Sequence, residues 1–474
     1  MNAAPWESLL VEFESELAWL HTLIRDPAGT RYQAVKSPAE RLAEFAAGLE
    51  RTRRFLDFLD NPQNRYPAAH IAGTSGKGSV TVMLAALLQS AGARTGYHVS
   101  PYLQIPNEKL VIAGRPISPS AFVQLARAFR RRLEAWTAQG GDLLYAEAWT
   151  ALTFFWLAQE RVDWAVIETS MGGRYDPTNT LPAAASIITN VNYDHIPQLG
   201  TTLAEIADHK AGIIKPGRPA LTGVAEPELL AVLKREAQAN NSPLYVLGRD
   251  FRLHIEQLEP DGSWLSVDGP AQRYGPLFLP LAGAFQARNA ALAIDAADLL
   301  AQAGGPPQST ATMQQALDGL RFPGRMEIVQ PAPLVLLDAS HNRHKMAALA
   351  QALRRLYAGR KITLLLGVLA MKDAAALLAE ILPLGARVII TQPHVFGKPA
   401  FNPHTLAAEV ARLAPGAPVD VHEPVAAAVQ AALEGLDPAE MLVVTGSMYL
   451  VGEARSVWFP PEELLKHLEK GQPT

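Results

Sequence analysis

The residues that could do chemistry begin at Tyr66, where a short apolar run ending in His70-Ile71-Ala72 leads into Gly73-Thr74-Ser75-Gly76-Lys77-Gly78-Ser79. Beyond the loop, Val80, Met83, Leu84, Leu87 and Leu88 fall at i, i+3, i+4, i+7 and i+8, so a helix with one apolar face begins there. Strand, glycine-rich turn and helix N-terminus together form an anion site. Glycines let backbone N–H groups approach phosphate oxygens, the helix dipole favours negative charge, and Lys77 adds a point charge. The generic G-x-x-x-x-G-K-[ST] loop is not met, because Ile71 stands at its first glycine and Gly78 at its hydroxyl position. A plain glycine-rich connection with an exposed lysine is the alternative reading of the same residues.

Three further groups stand where they could complete such a site. The apolar run 162–167 ends in Glu168, and a carboxylate beyond the carboxyl end of a parallel strand is well sited to hold Mg²⁺ against phosphates. A solvated strand cap would look the same. The next run, 184–189, opens into a loop carrying Asp194-His195. After it, Leu203, Ile206, Ala207, Lys210, Ala211 and Ile214 share one helical stripe, which turns Lys210 inward while Glu205, Asp208 and His209 face away. An inward ammonium must be paired, snorkel out or change its chemistry.

The elements that position these groups alternate short β-branched runs with longer helical patterns, the signature of a parallel α/β sheet. Strands are expected at 68–72, 162–167, 184–189, 334–337, 362–366, 387–391 and 441–444, with a small β excursion over 245–278. Phe322-Pro323-Gly324-Arg325 punctuates the chain, so residues 1–321 and 322–474 are expected to form one large and one ordinary domain. The 474 residues carry 42 Lys+Arg against 46 Asp+Glu, a net charge of −4, which excludes the basic footprint of a nucleic-acid or acidic-membrane binder. With no cysteine there can be no disulfide framework, thiolate metal site or cysteine nucleophile. Glu7, Glu12, Glu14 and Glu16 give the N-terminus the wrong order for a signal peptide, and no apolar run is long enough to cross a bilayer. A cytoplasmic monomer is expected.

Specific blocks carry a resemblance. The loop Gly73–Ser79 is similar to the G-T-x-G-K-G-S ATP loop of the Mur-ligase superfamily, and more narrowly of the folylpolyglutamate synthase/dihydrofolate synthase family, with Ser75 where asparagine is usual. Ser100-Pro101-Tyr102-Leu103, then Asn107-Glu108-Lys109-Leu110 in an extended segment, resemble S-P-H-L and N-E-R-I, with Tyr102 for the histidine. Glu205 to Gly217 nearly reproduces E-I-A-x-x-K-A-G-I-I-K-P-G, and Leu281 to Ala291 follows L-x-G-x-H-Q-x-x-N-A-A with Phe285 for the histidine. Phe322 to Glu327 looks like the inter-domain P-G-R-L-E. Asp338 to Asn342 is similar to D-G-A-H-N-P, with Arg343 for the proline, and Val443 to Glu453 follows V-T-G-S-L-Y-L-V-G-E.

The resemblance implies an α/β fold, a P-loop Mur-ligase-like ATPase domain followed by a smaller Rossmann-like domain, and ATP-dependent addition of L-glutamate to a folate through an acyl phosphate. Dihydropteroate as acceptor, alone or in addition, is the nearest rival; a Mur-type peptidoglycan-precursor ligase, an inactive ATP-binding regulator and another P-loop phosphotransferase are more distant ones. It further implies that Gly73, Thr74, Ser75, Gly76, Lys77, Gly78 and Ser79 hold ATP, that Ser79, Ser100, Glu168 and His195 hold Mg²⁺, and that Lys210 is carbamylated. Asn289 would contact adenine, Asp338 ribose and Arg325 the γ-phosphate. His341 and Ser447 would face glutamate, and Asp176 the substrate.

Overall fold

The computed structural model describes residues 3–26, 36–270 and 272–472. Eight strands form the first sheet: β1 (Ala68–Ala72), β2 (Thr95–His98), β3 (Val111–Ile112), β4 (Arg115–Pro116), β5 (Trp164–Glu168), β6 (Ala185–Ile188), β7 (Ala220–Thr222) and β8 (Leu244–Val246). Their order is β4-β3-β2-β5-β1-β6-β7-β8, parallel except for the β2-β3-β4 meander at one edge. All five residues of β1 are buried, as a central strand covered on both faces requires. One face packs under the helices Lys77–Ser90, Ala284–Gln302 and Thr310–Asp318, the other under Ala3–Thr22, Pro38–Phe58, Pro119–Thr137 and Tyr145–Gln159. The chain leaves β1 toward β2 on one side and later reaches β6 on the other. That reversal opens a crevice at the carboxyl ends of β1, β5 and β6, where ligands bind in open α/β sheets.

The β excursion is an antiparallel sheet of β9 (Arg252–Glu259), β10 (Gly262–Asp268) and β11 (Arg273–Leu279), laid over the helix Ala284–Gln302. A third sheet starts at β12 (Glu327–Pro331) and continues through β13 (Leu334–Leu337), β14 (Ile362–Leu366), β15 (Gly385–Ile390), β16 (Val419–Val421) and β17 (Met441–Thr445). Its order, β12-β13-β17-β14-β15-β16, is parallel apart from β12, and it has an apolar core on each face. Among the described residues no helix is long and apolar enough to cross a membrane.

The structure departs from the sequence reading in three places. The stretch expected to be extended from Asn107 begins as a 3₁₀ turn, Pro106–Lys109, because the Glu108 carboxylate accepts the N–H groups of Leu103, Gln104 and Ile105 at 2.6, 3.1 and 3.1 Å. The run expected at 162–167 pairs two residues later and takes in Glu168, since Arg161 sits at φ 51° and Asp163 is drawn to the Arg94 carbonyl. Finally, the helix Pro461–Glu469 leaves the third sheet and buries Leu464, Leu465 and Leu468 in the helical core of the first domain, beside Trp6 and Phe122. Trp6 Nε1 donates to Glu462 at 3.1 Å and the Ser120 N–H to Glu469 at 3.0 Å. The last helix of the second stretch thus packs on the core of the first domain.

Candidate active site

The glycine-rich loop is clamped from below by the chain that follows β6. Asn190 accepts the Ser75 N–H at 3.0 Å and returns its own amide to the Ser75 carbonyl at 3.1 Å, while the Thr189 hydroxyl donates to the same carbonyl at 2.6 Å. The Thr74 hydroxyl donates to the Asn192 carbonyl and accepts the Asn192 N–H, both at 3.0 Å. Gly76 has φ 81°, and a Cβ on it would lie 2.3 Å from Asn289 Oδ1, so glycine is required there on two counts. Lys77 opens the helix, donates to the Gly73 carbonyl at 3.2 Å and lies 3.6 Å from Glu168.

Glu168 is 5% exposed, and burial raises its pKa above the ordinary carboxylate value, with Lys77 and the Ser100 N–H at 3.2 Å pulling it back. Ser79 is buried one turn into the helix, and Gly78 sits so near that a Cβ would come within 3.3 Å of Glu168 Oε2. Lys77, Gly78, Ser79, Ser100 and Glu168 are thus brought together. Asp176 caps a short 3₁₀ turn and has both oxygens committed, to Thr178 N–H at 3.0 Å and hydroxyl at 2.5 Å and to the Met171 N–H at 2.8 Å. It shapes the loop beneath the cleft.

Lys210 lies on the buried side of the helix Leu203–Ala211, at 2% exposure, and does not reach the open cleft. Burial, reinforced by Lys77 and Lys345 and opposed by Asp194, lowers its pKa to about 7. The loop that follows β5 packs hard on this helix: a Cβ on Gly173 would fall 2.6 Å from the His209 carbonyl. His195, at φ 52°, is held beside Asp194 at 4.0 Å. Burial would raise the pKa of Asp194, but His195 and Lys372 keep it well below the usual range. Lys372 donates to Asp194 at 2.5 Å and Asn342 Nδ2 at 3.3 Å, so two residues of the second domain grip a carboxylate of the first.

From the second domain, Arg325 turns into the cleft over the Phe322 ring at 4.9 Å, bonded to the Gly324 carbonyl at 3.0 Å. Asp338, at the end of β13, accepts the Met326 N–H and the Ser340 N–H, each at 3.0 Å, which fixes the inter-domain turn to the strand. His341 Nδ1 donates to the Ala339 carbonyl at 2.9 Å, leaving Nε2 as the acceptor for the Lys345 ammonium at 3.0 Å. Ser447 is buried at the start of the helix Met448–Arg455, where its hydroxyl accepts the Tyr449 N–H at 3.2 Å.

One cavity of about 1870 Å³ runs between the two domains, and Thr74 to Ser79, Ser100, Glu168, Asp176, His195, Asn289, Arg325, Asp338, His341 and Ser447 all line it. Gly73 and Lys210 lie behind its wall. Sequence reading missed Asn190 and Asn192, the loop's clamp, and Lys345 and Lys372, two of the second domain's lysines in the cleft. Thr189-Asn190 at the end of a strand was the one available signal for the clamp. For the lysines, nothing in their spacing separated them from solvated surface charge. Among the described residues no three His, Asp or Glu side chains converge as an all-protein metal cage. A Mg²⁺ that keeps waters and takes its remaining ligands from nucleotide phosphates suits one buried carboxylate flanked by hydroxyls.

Residues 71–297 match the Mur ligase middle domain and residues 324–448 the Mur ligase glutamate ligase domain. The chain is 34% identical over 348 residues to a dihydrofolate synthase/folylpolyglutamate synthase of Bacillus subtilis, covering 73% of this chain and 80% of that one. It is 33% identical over 443 residues to the Mycobacterium tuberculosis protein of the same name, covering 86% and 90%. The structure of a Mycobacterium tuberculosis folylpolyglutamate synthase complexed with ADP superposes with a TM-score of 0.85 at 30% identity, covering 95% of this chain and 99% of that one. A phosphate loop facing a glutamate-ligase domain across one cleft, with such relatives matched along most of their length, means that the chain belongs to the folylpolyglutamate synthase/dihydrofolate synthase family of Mur ligases.

Proposed function

We propose that this chain is a folylpolyglutamate synthase, an ATP-dependent ligase joining the amino group of L-glutamate to the carboxylate of a reduced folate. The observation that carries the reading is the placement of the phosphate loop of one domain opposite Arg325, His341 and Ser447 of the other, over a shared cavity. In this reading the N–H groups of the loop and Lys77 hold the phosphates, Asn289 borders the adenine and Asp338 the ribose. Arg325, a fixed guanidinium, faces the γ-phosphoryl group and stabilises the charge that spreads over it during transfer. The acceptor carboxylate takes that phosphoryl group to become an acyl phosphate, and ADP is left. The glutamate amine then attacks the acyl carbon and phosphate departs, with His341 and Ser447 aligning the amino acid. Asp176 supports the loop under the acceptor.

Ser79, Ser100, Glu168 and His195 are the residues that would hold Mg²⁺, whose chemistry is to neutralise the phosphate oxygens. Carbamylation of Lys210 would turn a costly buried cation into an anion close to them. Two of the relatives carry both activities in their names, so dihydropteroate is the second acceptor to test.

The test is phosphate release with MgATP and L-glutamate, in the presence of tetrahydrofolate, dihydropteroate or neither. Release that requires both glutamate and a pteroate-type acceptor is expected, and Lys77→Ala should lower it by about 10²–10³-fold or more. Acceptor-independent release, or wild-type turnover in Lys77→Ala at saturating MgATP, would overturn the assignment.

A further inference from the structure

The helix Arg343–Leu356 begins against its own dipole. Its first turn is Arg343-His344-Lys345 with no acidic residue, although positive charge there opposes the unpaired N–H groups of the helix start. Arg343 and His344 sit at the exposed rim of the cleft, Arg343 donating to Glu380 at 2.9 Å. Lys345 points inward, into the cleft between the domains. A residue that breaks a local rule with no structural gain in view marks a functional constraint.

The surroundings of Lys345 say what that constraint is. Its ammonium has one partner among the described residues, His341 Nε2 at 3.0 Å. That imidazole is neutral: its Nδ1 proton is spent on the Ala339 carbonyl, and burial, with Lys345 next in weight, holds its pKa well below the ordinary value. The carboxylate that could have balanced Lys345, Asp194, is taken by Lys372 at 2.5 Å. Burial, reinforced by Lys77, Arg325 and Lys372 and opposed by Asp194, lowers the pKa of Lys345 to about 7, and an anion bonded to its ammonium would raise it. Ser447, at the start of another helix, lines the same cavity. The result, on the domain that matches glutamate ligases, is a donor set with no carboxylate in hydrogen-bond contact among the described residues, Asp194 and Glu168 acting on Lys345 only from a distance.

We propose that Lys345 binds a carboxylate of the incoming amino acid directly, with His341 holding its ammonium in place. The inference rests on the ligase reading above. It adds a substrate contact that the D-G-A-H-N-P resemblance does not supply, since Lys345 lies beyond that motif and beyond the Arg343 departure from it.

The test is initial-rate kinetics on the full-length chain, with Lys345→Met and Lys345→Arg beside the wild type. In Lys345→Met the KM for L-glutamate should rise at least tenfold, with the KM values for ATP and acceptor within twofold of wild type; Lys345→Arg should recover most of the loss. ADP-induced thermal stabilisation equal to wild type shows that both variants are folded. Glutamine and the α-amide of glutamate, each lacking one carboxylate, identify the group bound: the analogue that lacks it should be used equally poorly by wild type and Lys345→Met. A glutamate KM within twofold of wild type in Lys345→Met overturns the proposal. So does a fall in kcat alone with a displaced pH profile, which would mean that Lys345 acts only through His341. Absence of any glutamate-dependent phosphate release in the wild type would overturn the ligase reading itself, and this proposal with it.

Discussion

A lysine at 2% exposure with no carboxylate in direct ion-pair contact among the described residues is chemically unusual whatever its role, and for Lys210 the consequence can be worked out. At a pKa of about 7 half of its amine is neutral at pH 7, against on the order of one part in a few thousand for an ordinary lysine. Only the neutral amine can add CO₂, so burial makes Lys210 competent for carbamylation under mild conditions. The sign for stability follows. Folded Lys210 binds fewer protons than the unfolded side chain between about pH 7 and about 10.4, so the cost of burying it is full below pH 7 and shrinks as the pH rises through that window. Lys77 and Lys345 add to the depression and Asp194 opposes it. Enzyme depleted of CO₂ and assayed near pH 6 should therefore lose ligase activity, and bicarbonate should restore it increasingly well as the pH passes 7. Intact-protein mass at matched pH would show the added CO₂. Activity indifferent to bicarbonate across that range would mean that Lys210 works as a free amine.

At the scale of elements, the site is a set of strand ends held to one loop. Gly76 is one of its tight points, and Gly76→Ala would place an L residue in the left-handed region, costing about 1–2 kcal/mol, and drive its Cβ into Asn289. ATP affinity, measured by calorimetry, should fall at least tenfold, while the melting temperature without nucleotide drops by only a few degrees. Unchanged affinity would show that the loop reshapes on binding. This element was legible because each part has a local cause: glycines where backbone must approach, a lysine beside them, and an apolar stripe after them. Glu168 and Lys210 were legible for the same reason, from their places at a strand end and on a helical stripe. The clamp by Thr189, Asn190 and Asn192 was not, because it joins segments more than a hundred residues apart and depends on β6 lying beside β1. Nor was the 3₁₀ turn at Pro106–Lys109, which Glu108 creates by gathering three N–H groups that no periodicity records.

At the scale of the molecule, the two domains are joined twice, by the turn around Arg325 and by the return of the helix Pro461–Glu469 to the first core. Between them runs a polar seam. Arg455 donates to the Gln104 side-chain carbonyl, Gln104 donates to Ser456 at 3.1 Å and to the Phe459 carbonyl at 2.8 Å, and a Cβ on Gly452 would lie 2.0 Å from the Leu103 carbonyl. With the Asp194–Lys372 contact across the cleft, these points restrict how the second domain can turn against the first, so closure over substrates must pivot near the seam. The terminal helix should then contribute to the stability of the whole chain. Leu464 and Leu468 are each 7% exposed, and a buried leucine replaced by alanine costs about 2–5 kcal/mol. Being one turn apart in one core, they need not add fully. Leu464→Ala/Leu468→Ala should move the urea midpoint down by an amount equivalent to about 4 kcal/mol or more, and should lower the cooperativity of unfolding relative to wild type as the domains lose this link. If the helix were only an appendage, the midpoint and the cooperativity would both stay as in the wild type.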